Sequence, residues 1–246
     1  MKKILLKAIF FYLLLLFLIF TFSYSLHIIF EEKLKLIHVQ AGIDLSFAIL
    51  IAIYFYKYKK NPLSIFKKIR FTNTLILVCL IFLFSSIYSF FNVGYLLKSI
   101  KNESIYIIPT LNFANFLKYD YYHLIRVLIL MPFFEEIFYR YIIQTNLSKK
   151  INSTFSIIIA SILFTITHLD LENFLPLLGC GIFLGFVYHK TNNISYAILL
   201  HFGINLVINL FTYDNYRNTL ITGIPILLLF SFLIILLSSK LTLQSK

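Results

Sequence analysis

Long apolar blocks separated by short polar breaks set the pattern of this chain. Windows of about nineteen residues resolve about eight blocks, with limits near 4–29, 41–57, 72–94, 121–145, 152–168, 172–189, 192–212 and 218–239. Most approach the twenty or so residues that cross a hydrocarbon core of about 30 Å. At that length only helices satisfy every backbone group internally, and no run alternates as a barrel strand does. The pattern predicts an all-α fold: a polytopic membrane protein forming one integral domain over residues 1–246. The first block, from Ile4 to Phe30, exceeds a signal-peptide core and lacks a small-residue cleavage site, so it reads as a retained span. Segment 98–120 breaks the pattern. Lys98, Lys101, Glu103, Pro109 and Asn112 among its aromatic residues suit an interfacial helix or loop.

Composition supports this reading. The chain is 60% hydrophobic and 13% charged, whereas soluble domains carry roughly a quarter charged residues. No polar stretch is long enough for a soluble appendage. The net charge of +12 would suit a nucleic-acid partner, but the basic residues gather at block ends, as in Lys59-Lys60 and Lys67-Lys68-Ile69-Arg70. That placement fits contact with anionic membrane lipid and excludes a nucleic-acid footprint. Lys149, Lys150, Lys190 and Lys240 fall on the same predicted side, and the acidic loops with Glu31, Glu32, Asp170, Glu172 and Asp214 on the other. Both termini are therefore expected in the cytoplasm. Cys79 and Cys180 lie inside apolar blocks and offer neither a disulfide framework nor a zinc pair.

Against this background the polar residues inside the blocks stand out. An ionisable group in hydrocarbon costs a few kcal/mol or more, and it is usually functional or tightly paired. Glu135, Glu136 and Arg140 fall within six residues of the fourth block. Glu136 and Arg140 have the acid-first i,i+4 spacing of an ion pair. Glu135 is left as the freer carboxylate, suited to a general base. His168 closes the fifth block, with Phe164 one turn earlier. His201 lies within the seventh, with Asn205 one turn later. An imidazole and an amide on one face can both donate to an oxyanion. Each cluster alone is also explained by helix packing, through a buried pair, an interfacial histidine and interhelical polar contacts. Together they form an inventory for activating water against a carbonyl. Asp44 and Arg126 read as interfacial, the arginine snorkelling outward. His27, His38, His123 and His189 lie near block ends, where histidine is ordinary, and Gly179, Gly181 and Gly185 suit close helix approach.

The ordered motifs Glu135-Glu136…Arg140, Phe164…His168 and His201…Asn205 resemble the CPBP family of intramembrane proteases, also called the CAAX-protease, bacteriocin-processing or Abi family. The resemblance covers roughly residues 121–212, a catalytic core on spans four to seven. It implies an intramembrane endopeptidase in a bacterial plasma membrane, acting on a membrane-associated, prenylated or leader-type peptide. Glu135 would activate the hydrolytic water with help from His168. His201 and Asn205 would stabilise the oxyanion, and Arg140 would hold Glu136. No cofactor is favoured; a divalent metal such as zinc, if used, would draw on Glu135, His168 and His201. The expected orientation puts His168 near the outer end of its span, whereas a prenylated substrate approaches from the cytosol. Either the orientation is reversed or the substrate is exported or membrane-embedded. Two other readings stand beside the protease: a non-catalytic immunity or scaffold protein of the same fold, and a transporter or proton relay. A relay expects inverted repeats or broken helices, and the sequence shows neither.

Overall fold

The computed structural model describes residues 10–22, 36–90, 107–111, 121–171 and 173–215. The eighth expected span and most of segment 98–120 lie outside the described residues. The helices are α1 (Phe10–Phe22), α2 (Leu36–Lys57), α3 (Phe71–Phe90), α4 (121–148), α5 (Ser153–Thr167), α6 (Phe174–Thr191) and α7 (Ile194–Leu210). A single turn of 3₁₀-helix, Pro62–Ile65, follows α2.

The ends of α5, α6 and α7 are set by asparagines. Asn152 precedes α5 and accepts a hydrogen bond from Thr154 N–H, satisfying one of the unpaired first-turn donors. At the end of α6, Asn192 takes a left-handed conformation with φ of 48°, which short polar side chains tolerate. Asn193 then caps α7 by accepting from Ser195 N–H. The same Asn193 holds the basic loop after α2, accepting from Lys67 N–H and donating to Lys67 O.

Two apolar clusters hold the bundle together. One joins Phe11 and Leu15 of α1, Phe47 and Leu50 of α2, Phe138 and Ile142 of α4, and Phe164 of α5. The other joins Leu77 and Leu80 of α3, Leu184 and Val187 of α6, and Leu200 and Ile204 of α7. Helices α5 and α6 approach closely because Gly181 and Gly185 face α5. A Cβ on Gly181 would lie 2.9 Å from Ser161 Cβ, and one on Gly185 would lie 3.0 Å from Ile157 Cγ2. This is the packing role expected for these glycines.

Two features depart from the sequence expectation. The fold is not wholly helical: Ile107–Leu111 pairs antiparallel with Phe211–Asn215, so the seventh helix ends at Leu210 and an extended segment follows. Both segments are rich in β-branched or aromatic residues, and Pro109 suits a ribbon that is all edge. Helix length also differs for two spans. Among the described residues Gln40–Lys57 and Phe174–Thr191 are long and apolar enough to cross a membrane, while α5 and α7, which start behind the asparagine caps Asn152 and Asn193, are shorter apolar helices.

Candidate active site

The site is built around α4, which is not a regular α-helix. Arg126–Leu130 and Glu136–Gln144 are π-helical, with Met131 N–H reaching back five residues to Arg126 O and Thr145 N–H to Arg140 O. The next bond in the first π-register would run to Val127 O from position 132, but Pro132 has no N–H. Asn205 of α7 fills this gap: its Nδ2 donates to Val127 O at 2.9 Å. One proline thus explains both an interrupted ladder and the interhelical amide that mends it. The α-helical turn Met131–Glu135 meets the second π-helical stretch between Glu135 and Glu136, and both carboxylates lie within 4 Å of His201.

The ion pair expected within α4 is present. Arg140 Nε donates to Glu136 Oε2 at 2.9 Å, and both side chains are fully buried. The other oxygen of Glu136 lies 3.0 Å from His201 Nδ1. Glu135 is 5% exposed and sits between two imidazoles. Its Oε1 is 4.0 Å from His168 Nε2 and its Oε2 is 3.8 Å from His201 Nε2. These gaps exceed direct hydrogen bonds. The side chain of His168 is 29% exposed, and at the other contacts of the group exposure is 7% or less. The site therefore opens at His168.

The partners on Nδ1 fix both histidine tautomers. His168 Nδ1 lies 2.8 Å from Phe164 O, and His201 Nδ1 faces the Glu136 carboxylate. Carbonyl and carboxylate oxygens only accept, so each Nδ1 carries a proton, and a ring that holds no second proton turns a bare Nε2 toward Glu135. His201 donates to an oxyanion through Nε2 only when that nitrogen is protonated too. Phe164 packs among these groups, its ring 4.5 Å from His168, 5.9 Å from His201 and 5.3 Å from the Arg140 guanidinium carbon.

Glu135, Glu136, Arg140, His168 and His201 are thus brought together, while the Asn205 amide is engaged with Val127. Among the described residues no three His, Cys, Asp or Glu side chains are grouped so that they could hold a metal ion. Asp44 and Arg126, read from sequence as interfacial, are instead a buried pair. Arg126 Nε donates to both Asp44 oxygens at 3.0 and 3.1 Å, and Tyr122 donates to Asp44 at 3.2 Å. Arg126 turns inward because helix α2 presents a carboxylate there, and a paired charge need not reach the interface. The sequence reading also missed Tyr139, whose hydroxyl meets Thr167 Oγ1 at 2.7 Å. Its only signal was position, one turn after Glu135.

Comparison with known proteins finds similarity over the segment that carries these residues. Residues 117–207 match the family model described as type II CAAX prenyl endopeptidase Rce1-like. The chain is 34% identical over 89 residues to a Bacillus subtilis (strain 168) protein named "Putative membrane peptidase YdiL". That stretch is 36% of this chain and 36% of the relative, so the match spans about a third of each. No solved structure matches. The segment that matches the Rce1-like family model contains all seven residues of the ordered motifs, Glu135, Glu136, Arg140, Phe164, His168, His201 and Asn205.

Proposed function

We propose that the chain is an intramembrane endopeptidase that hydrolyses a peptide bond of a membrane-associated, prenylated or leader-type peptide, using Glu135 as general base. The observation that carries the reading is the Glu135 carboxylate held between two imidazoles whose Nε2 atoms face it. A separation of 4.0 Å between Glu135 Oε1 and His168 Nε2 is spanned by two hydrogen bonds of about 2.8 Å to one shared water oxygen.

Such a water would give one proton to Glu135 and donate its other hydrogen to His168 Nε2 while its oxygen attacks the carbonyl carbon. The oxyanion would take a hydrogen bond from His201 in its imidazolium form, whose Nε2 proton is taken from solvent before the peptide binds and is kept through the cycle, with Glu136 balancing the charge and Arg140 holding Glu136. Collapse of the tetrahedral intermediate breaks the C–N bond, and the proton held by Glu135 passes to the departing amine. No step is routed through a metal. In this reading the chain crosses the membrane about eight times, and the core of α4 to α7 places the site within the bilayer.

Mass spectrometry of peptides incubated with the purified chain tests the proposal. A panel of prenylated and leader-type peptides should contain members cut by the wild-type chain and left whole by Glu135→Gln. Equal cleavage by both would remove Glu135 from the chemistry.

A further inference from the structure

The end of α5 is tied to α4 by a second contact that none of the three motifs includes. At this end His168 N–H turns to Thr165 O, three residues back, instead of taking up Phe164 O. Last-turn carbonyls need other partners. Phe164 O receives two from side chains: His168 Nδ1 at 2.8 Å and Thr167 Oγ1 at 2.7 Å. A carbonyl oxygen has two lone pairs and accommodates both. The Thr167 hydroxyl also lies 3.3 Å from Leu163 O, but its single proton goes to the nearer Phe164 O, so its oxygen is free to accept from Tyr139.

The result is a directed chain from α4 into α5: Tyr139 donates to Thr167, Thr167 donates to Phe164 O, and the same carbonyl orients His168. Tyr139 is fully buried, and its ring stands edge-on to Phe164 with centroids 5.5 Å apart. Tyr139 lies four residues after Glu135, and Thr167 immediately precedes His168. The Tyr139–Thr167 bond therefore spans the same two helices as the Glu135–His168 gap and runs beside it.

We propose that Tyr139 and Thr167 are positioning residues, a strut that holds the spacing between Glu135 and His168 at the width of one shared water. The inference rests on the general-base reading of Glu135 and deepens it. Misplacement of a reacting group by about 1 Å costs up to a hundredfold in rate. Loss of one strut bond, with ring packing kept, is expected to lower kcat about tenfold and leave KM within twofold.

The test compares the full chain in detergent with Tyr139→Phe, Thr167→Val, their double variant and Thr167→Ser, using an internally quenched prenylated peptide. Tyr139→Phe keeps the ring and Thr167→Val keeps the shape, so a kcat loss is not a packing loss. The double variant should be no slower than Thr167→Val, and Thr167→Ser should restore the wild-type rate. A second readout does not need activity: the low-field Nδ1–H proton resonance of His168, assigned by its loss in His168→Gln. It should be sharp in the wild-type chain and Thr167→Ser, and exchange-broadened in Tyr139→Phe and Thr167→Val. An unchanged resonance, or an unchanged kcat beside a broadened resonance, overturns the proposal. If Glu135→Gln cleaves like the wild-type chain, the general-base reading fails instead, and the resonance alone decides whether the strut exists.

Discussion

Replacing Asn205 with alanine removes the amide that takes up Val127 O. A buried carbonyl left without a partner costs about 1–3 kcal/mol. Interhelical hydrogen bonds in membranes average only about 0.6 kcal/mol, because the disrupted state finds other partners. Here the nearest alternative is missing: in the π-register the donor for Val127 O would come from position 132, which is proline. The expected cost of Asn205→Ala is therefore above that average, about 1.5 kcal/mol. Pro132→Ala supplies an N–H at that position, so Asn205→Ala in its background should cost about 0.5 kcal/mol, a coupling of about 1 kcal/mol. Reversible unfolding of the four proteins in mixed micelles measures this cycle. Additive losses, with coupling below about 0.3 kcal/mol, would refute the account of Pro132, Val127 and Asn205 as one unit.

Other consequences follow from the same contacts. Asp44→Asn leaves Arg126 buried beside a neutral partner and should destabilise the chain by about 2 kcal/mol in the same unfolding assay, less than a fully enclosed pair would lose. Gly181→Ala drives a Cβ to 2.9 Å from Ser161 Cβ and 3.2 Å from its Cα. It should cost about 1–3 kcal/mol, and smaller residues at Ser161 should recover part of that. Cleavage should persist after exhaustive chelation, since the proposed chemistry uses only Glu135, His168 and His201. Restoration by added zinc alone would contradict that.

The inner face of α4 was legible in the sequence because charge inside an apolar block is costly and must be paired. That argument alone found Glu135, Glu136 and Arg140, and helical spacing paired the last two correctly. His168 and His201 followed as polar exceptions in their own blocks, and the order of the motifs carried the family resemblance. What the sequence hid was register. A helical wheel assumes the α-period, and nothing in the letters Arg126 to Gln144 states that the ladder shifts to five-residue bonds, although Pro132 hints at a disturbance. For that reason the destination of the Asn205 amide was missed. Arg126 was misread because a lone arginine near a block end snorkels by default, and its carboxylate partner sits 82 positions away on α2. Thr167 and Tyr139 looked like ordinary span residues, since a hydroxyl gains its role only once two helix ends are brought together.

The central claim is that Glu135 takes the proton from water. The most direct measurement is the single-turnover rate of peptide cleavage by the wild-type chain and by Glu135→Gln, which keeps shape and burial while removing the base. General-base catalysis contributes about 10²- to 10⁴-fold, so the account predicts a fall of at least a hundredfold with peptide binding unchanged. A Glu135→Gln rate within tenfold of wild type would contradict it.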